Sequence, residues 1–480
     1  MNIRKIAQFA IGPIGSAALG FVTLPIITWF YSAEDIGRIA MLQVISSLCI
    51  LLLSLGLDQA YVREYYEAEQ KPALLKATLT PGLLLLTITL GITLLIPGVV
   101  SKVLFSIDSS EISWLVGVCL LAGFASRFLS LVLRMQEKGL AFSISQVLPK
   151  ALFLMVIGSY YLLTLGFDFF HLVIAHTISI LAATLVLAWN TRTEWLVMLN
   201  QRIDFIQLKK MLRFGMPLII GGIAYWGLTT MDKLFLRNFS TFEELGIYSV
   251  ASNFAAAAII FQSVFSTVWA PTAYKWAAEG IKNEKIDQVT EYVLAVVVFA
   301  FAFAGLFSWV VTYLLPEKYD RVQHILVACI AYPLFYTLSE TTSIGIGITR
   351  KSTYAMLASL TSAFTNLIGN YLLVPIYGAE GAAISTAIAF WIFLVCRTEL
   401  SCFAWRKFRR LKLYALTLTC LISAIAQTSL HKAHNEFIFI IWITIGLIAT
   451  LSMKKTLKAA KIKISNHIKK QQIPRPGNQN

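Results

Sequence analysis

Apolar residues run along this chain in continuous blocks of about twenty, longer than a strand and without the one-sided stripe of a helix on a water-soluble domain. Fourteen such blocks are predicted to be helices that cross a bilayer: 9–31, 38–58, 77–98, 112–133, 141–165, 169–189, 214–236, 247–269, 292–315, 323–346, 353–374, 381–398, 414–430 and 437–453. Helices are required because backbone N–H and C=O groups in hydrocarbon find no water and must bond within their own segment. The polar connections are mostly shorter than about twenty residues, which leaves no room for a sizeable extramembrane domain. Composition points the same way, with 480 residues that are 57% hydrophobic and 14% charged and a mean hydropathy of +0.71. A soluble enzyme is excluded, and the expected fold class is an all-α polytopic membrane protein.

The 40 Lys and Arg against 25 Asp and Glu leave a net charge of +15. In a soluble chain that excess would suggest a nucleic-acid partner; here it sorts by membrane side. With the N-terminus cytoplasmic, 31 Lys and Arg fall in or beside inner segments and five or six in outer ones. The positive-inside bias then places both termini in the cytosol, and no nucleic acid is implied. The segment 454–480 carries no Asp or Glu; it is read as a solvated basic tail, with contact to anionic headgroups as the alternative. Arg4 and Lys5 precede an apolar run that continues to Tyr31, which predicts an uncleaved first helix. The six cysteines offer no outer pair for a disulfide framework.

The chain also repeats itself. Tyr31-Ser32-Ala33-Glu34-Asp35-Ile36-Gly37 after the first span matches Phe239-Ser240-Thr241-Phe242-Glu243-Glu244-Leu245-Gly246 after the seventh, with one inserted residue, and Gly37 and Gly246 lie 209 positions apart. Gly166 and Gly378 repeat at nearly the same offset, 212. Six helices per repeat is an even number, so the halves are expected to be parallel repeats, related by a pseudo-two-fold axis along the membrane normal. The expected organisation is an N-terminal six-helix bundle (1–189), a cytoplasmic linker (190–213), a C-terminal six-helix bundle (214–398), two additional helices (399–453) and the basic tail (454–480). Trp195, Leu196, Ile203, Phe205 and Ile206 among the linker's charges suggest that part of it lies along the membrane surface, an ordinary connector being the alternative.

Ionisable groups inside spans are costly and therefore informative. Arg127 in span four and Lys150 in span five sit at similar depth, and two unpaired cations facing a cavity would favour a phosphate or an acidic sugar. The alternatives are snorkelling of Arg127 to the inner headgroups, or pairing of both with Glu340. Asp232 and Lys233 in span seven are adjacent and so point about 100° apart, with at least one expected to face the cavity. Asp232 and Glu340 are the candidate coupling carboxylates, because an ion-driven carrier needs a group that binds and releases a cation; a structural ion pair is the commoner fate of such a residue. Asn366 and Asn370, four apart, share a helix face and could hold sugar hydroxyls or simply join helices. Pro and Gly in spans one and seven, among them Pro25, Pro217 and Gly221-Gly222, suit helices that bend during transport, with a static kink as the alternative. No P-loop, catalytic residue set or metal-ligand set is present: His431 and His434 form no convincing site, and no resident cofactor is expected.

At span eleven the pattern becomes specific. Asn366-Leu367-Ile368-Gly369-Asn370, then Pro375-Ile376-Tyr377-Gly378 and Gly381-Ala382-Ala383, resembles the polysaccharide flippase branch of the MATE-like exporter superfamily. Leu24-Pro25-Ile26-Ile27-Thr28, Arg134-Met135-Gln136-Glu137-Lys138-Gly139, Ser145-Gln146-Val147-Leu148-Pro149-Lys150 and Asp232-Lys233-Leu234 resemble Wzx-type O-antigen flippases, and the patches reach from residue 9 to 398. The resemblance implies two six-helix bundles that open alternately to each side and carry an undecaprenyl-pyrophosphate-linked oligosaccharide across the bilayer. It also implies coupling to H+ or Na+, and polysaccharide polymerase and assembly proteins as partners. Trp29 stands where the family often has Arg, which shifts the expected phosphate contacts to Arg127 and Lys150, with Lys233 as a further candidate lumen cation for the substrate. A lipid II flippase, a multidrug exporter and, from another class, a membrane glycan polymerase or ligase are the competing readings; short outer loops count against the last.

Overall fold

The computed structural model describes residues 3–279, 284–430, 435–454 and 458. The expectations for His431, His434 and, apart from Lys454 and Lys458, the basic tail fall outside the described residues. Among the described residues every regular element is helical. Eleven helices are long and apolar enough to cross a membrane, or twelve if the bent pair Phe242–Phe254 and Ala257–Ala277 is one span. One of them, Ser352–Ala404, is two helices joined at Gly378, and Glu436–Ser452 is a shorter apolar helix. Each of the fourteen predicted stretches therefore has a helical counterpart.

Contacts divide the chain into two compact units. The first comprises Met1–Ile260, Thr312–Val322 and Asn366–Ala383, and the second Phe261–Val311, Gln323–Thr365 and Ile384–Asn480.

In the first unit, helices start where a polar side chain replaces the missing backbone acceptor. Ser32 accepts from the Asp35 N–H, Ser109 from Ile112, Asp168 from His171 and Thr241 from Glu244. Ser32 and Thr241 are 209 residues apart, the same offset as Gly37 and Gly246. The two copies of the repeat thus run in register from the cap onward, and the inserted residue lies before Thr241.

The repeated glycines face each other. A Cβ on Gly37 would run into the Phe242 carbonyl, and one on Gly246 into the Ala33 carbonyl. Phe242 is four residues before Gly246, and Ala33 four before Gly37. The Ala33–Leu53 and Phe242–Phe254 helices therefore cross by a reciprocal contact, backbone on backbone, of the kind small residues permit between membrane helices.

Gly378 breaks the long helix with φ 54° and ψ −126°, a conformation that L side chains rarely adopt. The Ala379 N–H exposed by the break donates to Glu244 Oε2 at 2.8 Å, and Arg321 bridges Glu244 and Glu380. The predicted linker is only partly a connector. Arg192–Leu199 forms a short helix, and from Phe205 the chain already belongs to the 35-residue helix that ends at Phe239.

In the second unit the two C-terminal helices supply core. Trp442 is fully buried against Gly305 of the Glu284–Phe307 helix. Its indole N–H donates to Gln427 Oε1 at 2.7 Å, and Gln427 donates in turn to Ser308 at 3.0 Å. A second cluster joins Trp269, Ala273, Ile286 and Ile344. Many large apolar side chains, Leu95 and Phe403 among them, remain exposed, as expected of surfaces that meet lipid instead of water.

Candidate functional site

The first unit brings together three residues that the sequence presents as separate candidates. Asp232 is 1% exposed, near the end of the Phe205–Phe239 helix. Its Oδ1 accepts from Asn370 Nδ2 at 2.7 Å and from Asn366 Nδ2 at 3.2 Å. Its Oδ2 accepts from the Tyr248 hydroxyl at 2.5 Å. Asn370 also donates to Asn366 Oδ1 at 2.8 Å, and the i, i+4 spacing is what lets both amides reach one carboxylate. Asn370 Oδ1 is buried without a partner, so the cluster holds a carboxylate and a spare amide acceptor, oxygen ligands suited to a hard cation. Lys233, one residue on, is only partly buried and joins none of the bonds that hold Asp232.

Lys150 lies elsewhere in the same unit. Its ammonium donates to the Ser16 carbonyl at 2.8 Å and packs over Gly20. Together with Gln43, Gln146, His176 and Asn253 it lines a cavity of 380 Å³ with no carboxylate among the lining residues. Amide, hydroxyl and ammonium donors without a competing acid make this space suited to an anion.

Arg127 departs from the expected unpaired cation. It donates to Asp58 at 2.7 Å and does not line the Lys150 cavity. Asp58 escapes a reading by spans because it closes the second apolar stretch and looks interfacial; the fold buries it on the short Leu57–Glu64 helix.

Glu340 belongs to the second unit, where it accepts from Ser266 at 2.6 Å and lines a different cavity, of 460 Å³. Within neither unit, therefore, do the two candidate carboxylates meet. The same cavity exposes a residue that sequence reasoning missed. Arg397 stands at the inner end of the predicted span 381–398, where a charge looks interfacial, but the helix continues to Ala404 and its guanidinium donates to Ser339 at 3.0 Å. The signal lies just beyond Arg397, where Leu400, Cys402, Phe403 and Ala404 resume the apolar character of the span.

Known proteins resemble this chain at several levels. A probable low-salt glycan biosynthesis flippase, Agl15, of Haloferax volcanii is 24% identical over 211 residues, 43% of this chain and 44% of that relative. The chain thus matches less than half the length of that curated relative. Among solved structures, the lipid II flippase MurJ in an inward closed conformation superposes with a TM-score of 0.69 at 14% identity, over 94% of this chain and 99% of that one. An inward-facing multidrug resistance MATE family transporter of the MOP superfamily superposes at 0.55 and 15% identity, over 82% and 94%. At such identities these two likenesses establish the fold. Residues 3–276, more than half of the chain, match the family described as polysaccharide biosynthesis protein, and the chain belongs to that family.

Proposed function

We propose that this protein is a transporter that carries an undecaprenyl-pyrophosphate-linked oligosaccharide, an O-antigen or capsule repeat unit, from the cytoplasmic to the outer leaflet by alternating access. Membership of the polysaccharide biosynthesis family and a fold shared with flippases support transport of a lipid-linked glycan. The observation that carries the chemistry is the acid-free cavity around Lys150, whose donors match a pyrophosphate or an acidic sugar. The polyprenyl tail would stay in lipid while the head crosses. The Asp232 cluster is the proposed site of coupling to H+ or Na+, and the polymerase and assembly proteins that use the product are the proposed partners. This reading makes it a bacterial inner-membrane protein, and the bias of Lys and Arg supports an orientation with both termini cytoplasmic.

The test is deletion of the gene in its host, with the undecaprenyl-linked glycan located by enzymatic access to each leaflet. A complete repeat unit held in the inner leaflet, released by the wild-type gene, is the expected result. Lys150→Gln, expressed at wild-type abundance, is expected to lower the released fraction roughly tenfold, the order lost with a charge-assisted contact. Single units accumulating in the outer leaflet would instead identify a polymerase or ligase, and accumulation of lipid II would move the substrate to peptidoglycan. Orientation is checked separately. A reporter after Lys412 should read as cytoplasmic and one between Phe239 and Glu244 as periplasmic; the reverse would invert the topology.

A further inference from the structure

The second unit contains cationic chemistry that the proposed transport site does not use. Its 460 Å³ cavity is lined by Tyr274, Ser343, Arg350, Ser352 and Arg397, with Glu340 as the one acidic residue of the lining. Arg397 lies against a stacked pair of rings, its guanidinium carbon 5.0 Å from the Phe393 centroid and 5.8 Å from that of Tyr336. Its hydrogen bond to Ser339 uses Nη1 alone, and Nε is enclosed without an acceptor. Glu340 does not supply one: it bonds Ser266, and no ion pair joins it to Arg397 among the described residues. A guanidinium that lines the cavity with one hydrogen bond, at Nη1, keeps planar donor capacity that a carboxylate or, better, phosphate oxygens would match.

Two neighbouring features aim the same charge at the same space. Arg350 is exposed and sits at φ 56°, an unfavourable conformation for a residue with a side chain, so the turn holds it at the cavity edge. Immediately after it the helix begins at Ser352 with no side-chain cap and no acidic residue in its first turn, leaving backbone N–H groups and the positive end of the dipole facing outward. Arg350 belongs to the connection between two apolar helices and Ser352 opens the second of them, so the cavity reaches an end of these helices.

We propose that this cavity is a second anion site, selective for a phosphate or pyrophosphate group and built around Arg397 and Arg350. It rests on the transport reading only for the source of that group, which would be the pyrophosphate head of the lipid-linked substrate on entry or release.

The experiment is calorimetric titration of the purified full chain in detergent with inorganic pyrophosphate and, separately, with farnesyl pyrophosphate. Arg397→Gln is expected to weaken binding roughly tenfold and Arg350→Gln several-fold, as loss of charge-assisted contacts does. Glu340→Gln is expected to tighten binding, a sign that a purely structural Arg397 would not produce. Lys209→Gln, at an exposed position outside the cavity, serves as the charge control. If Arg397→Gln does not fold, Arg350→Gln and Ser343→Ala carry the test. Binding of both probes with the same arginine dependence means that the phosphates alone are recognised, and binding of the farnesyl compound only means a lipid headgroup. No binding of either probe, or equal affinity in the arginine variants and wild type, overturns the site. Transport is not measured, so glycan flipping could fail in the host while this site stands, or the reverse.

Discussion

Gly37→Ala is expected to unfold or severely destabilise this protein, although the change adds one methyl group. In most helices alanine is preferred to glycine by about 1 kcal/mol. At Gly37 the added Cβ overlaps the Phe242 carbonyl and presses on the Gly246 N–H. These are backbone atoms of another helix, so no rotamer change relieves the collision and the crossing itself must open. Overpacking in a core costs about 1–3 kcal/mol where neighbours can shift, and the rigid backbone on both sides places this substitution at or above the top of that range. Gly246→Ala should behave alike, because the contact is reciprocal through the Ala33 carbonyl. Gly123, with nothing within 4 Å of its added Cβ, is the control, and Gly123→Ala is expected to hold or raise the midpoint. Thermal unfolding of detergent-purified protein decides: wild-type midpoints for the Gly37 and Gly246 variants would mean that these helices do not cross at their glycines.

Asp232→Asn is expected to abolish the dependence of transport on pH or sodium, with a fall in rate of roughly tenfold or more. The replacement keeps the shape but removes the charge, and it presents an NH2 group to a cluster whose members already donate. Tyr248, Asn366 and Asn370 all direct hydrogen-bond donors at the Asp232 carboxylate, so one of them loses its acceptor in the variant. Some loss of stability follows in either case, about 1–3 kcal/mol for a buried polar group left unsatisfied. The discriminating readout is therefore the ion dependence of glycan release in vesicles, measured on folded protein. An unchanged dependence in Asp232→Asn would make the cluster a structural bond between helices and leave coupling to another group.

The two variants probe features of different legibility. Gly37 and Gly246 announce themselves by repeating behind similar polar caps, and the i, i+4 amides of Asn366 and Asn370 are plain from spacing alone. Convergence of these amides on Asp232 is not, since 134 and 138 residues separate the partners. Arg127 shows the opposite outcome. Its depth was readable, but its availability depended on Asp58, 69 residues away on a short helix that no hydropathy window resolves. Arg397 was lost to an end effect, because a charged residue near the end of an apolar run looks interfacial until the helix is seen to continue.

What the sequence by itself determined was the set of membrane helices, their caps and breaks, and the repeat that orders them. These properties are local: a span must satisfy its own backbone bonds within about twenty residues, and a cap or a left-handed glycine acts over one turn. Only the tertiary structure decided which charges are neutralised and which remain open. Arg127 is paired, Arg321 bridges two glutamates, and Lys150 and Arg397 line acid-poor cavities. Pairing depends on distances between side chains far apart in sequence, and in a medium that screens charge weakly a few ångströms separate a structural ion pair from a binding site.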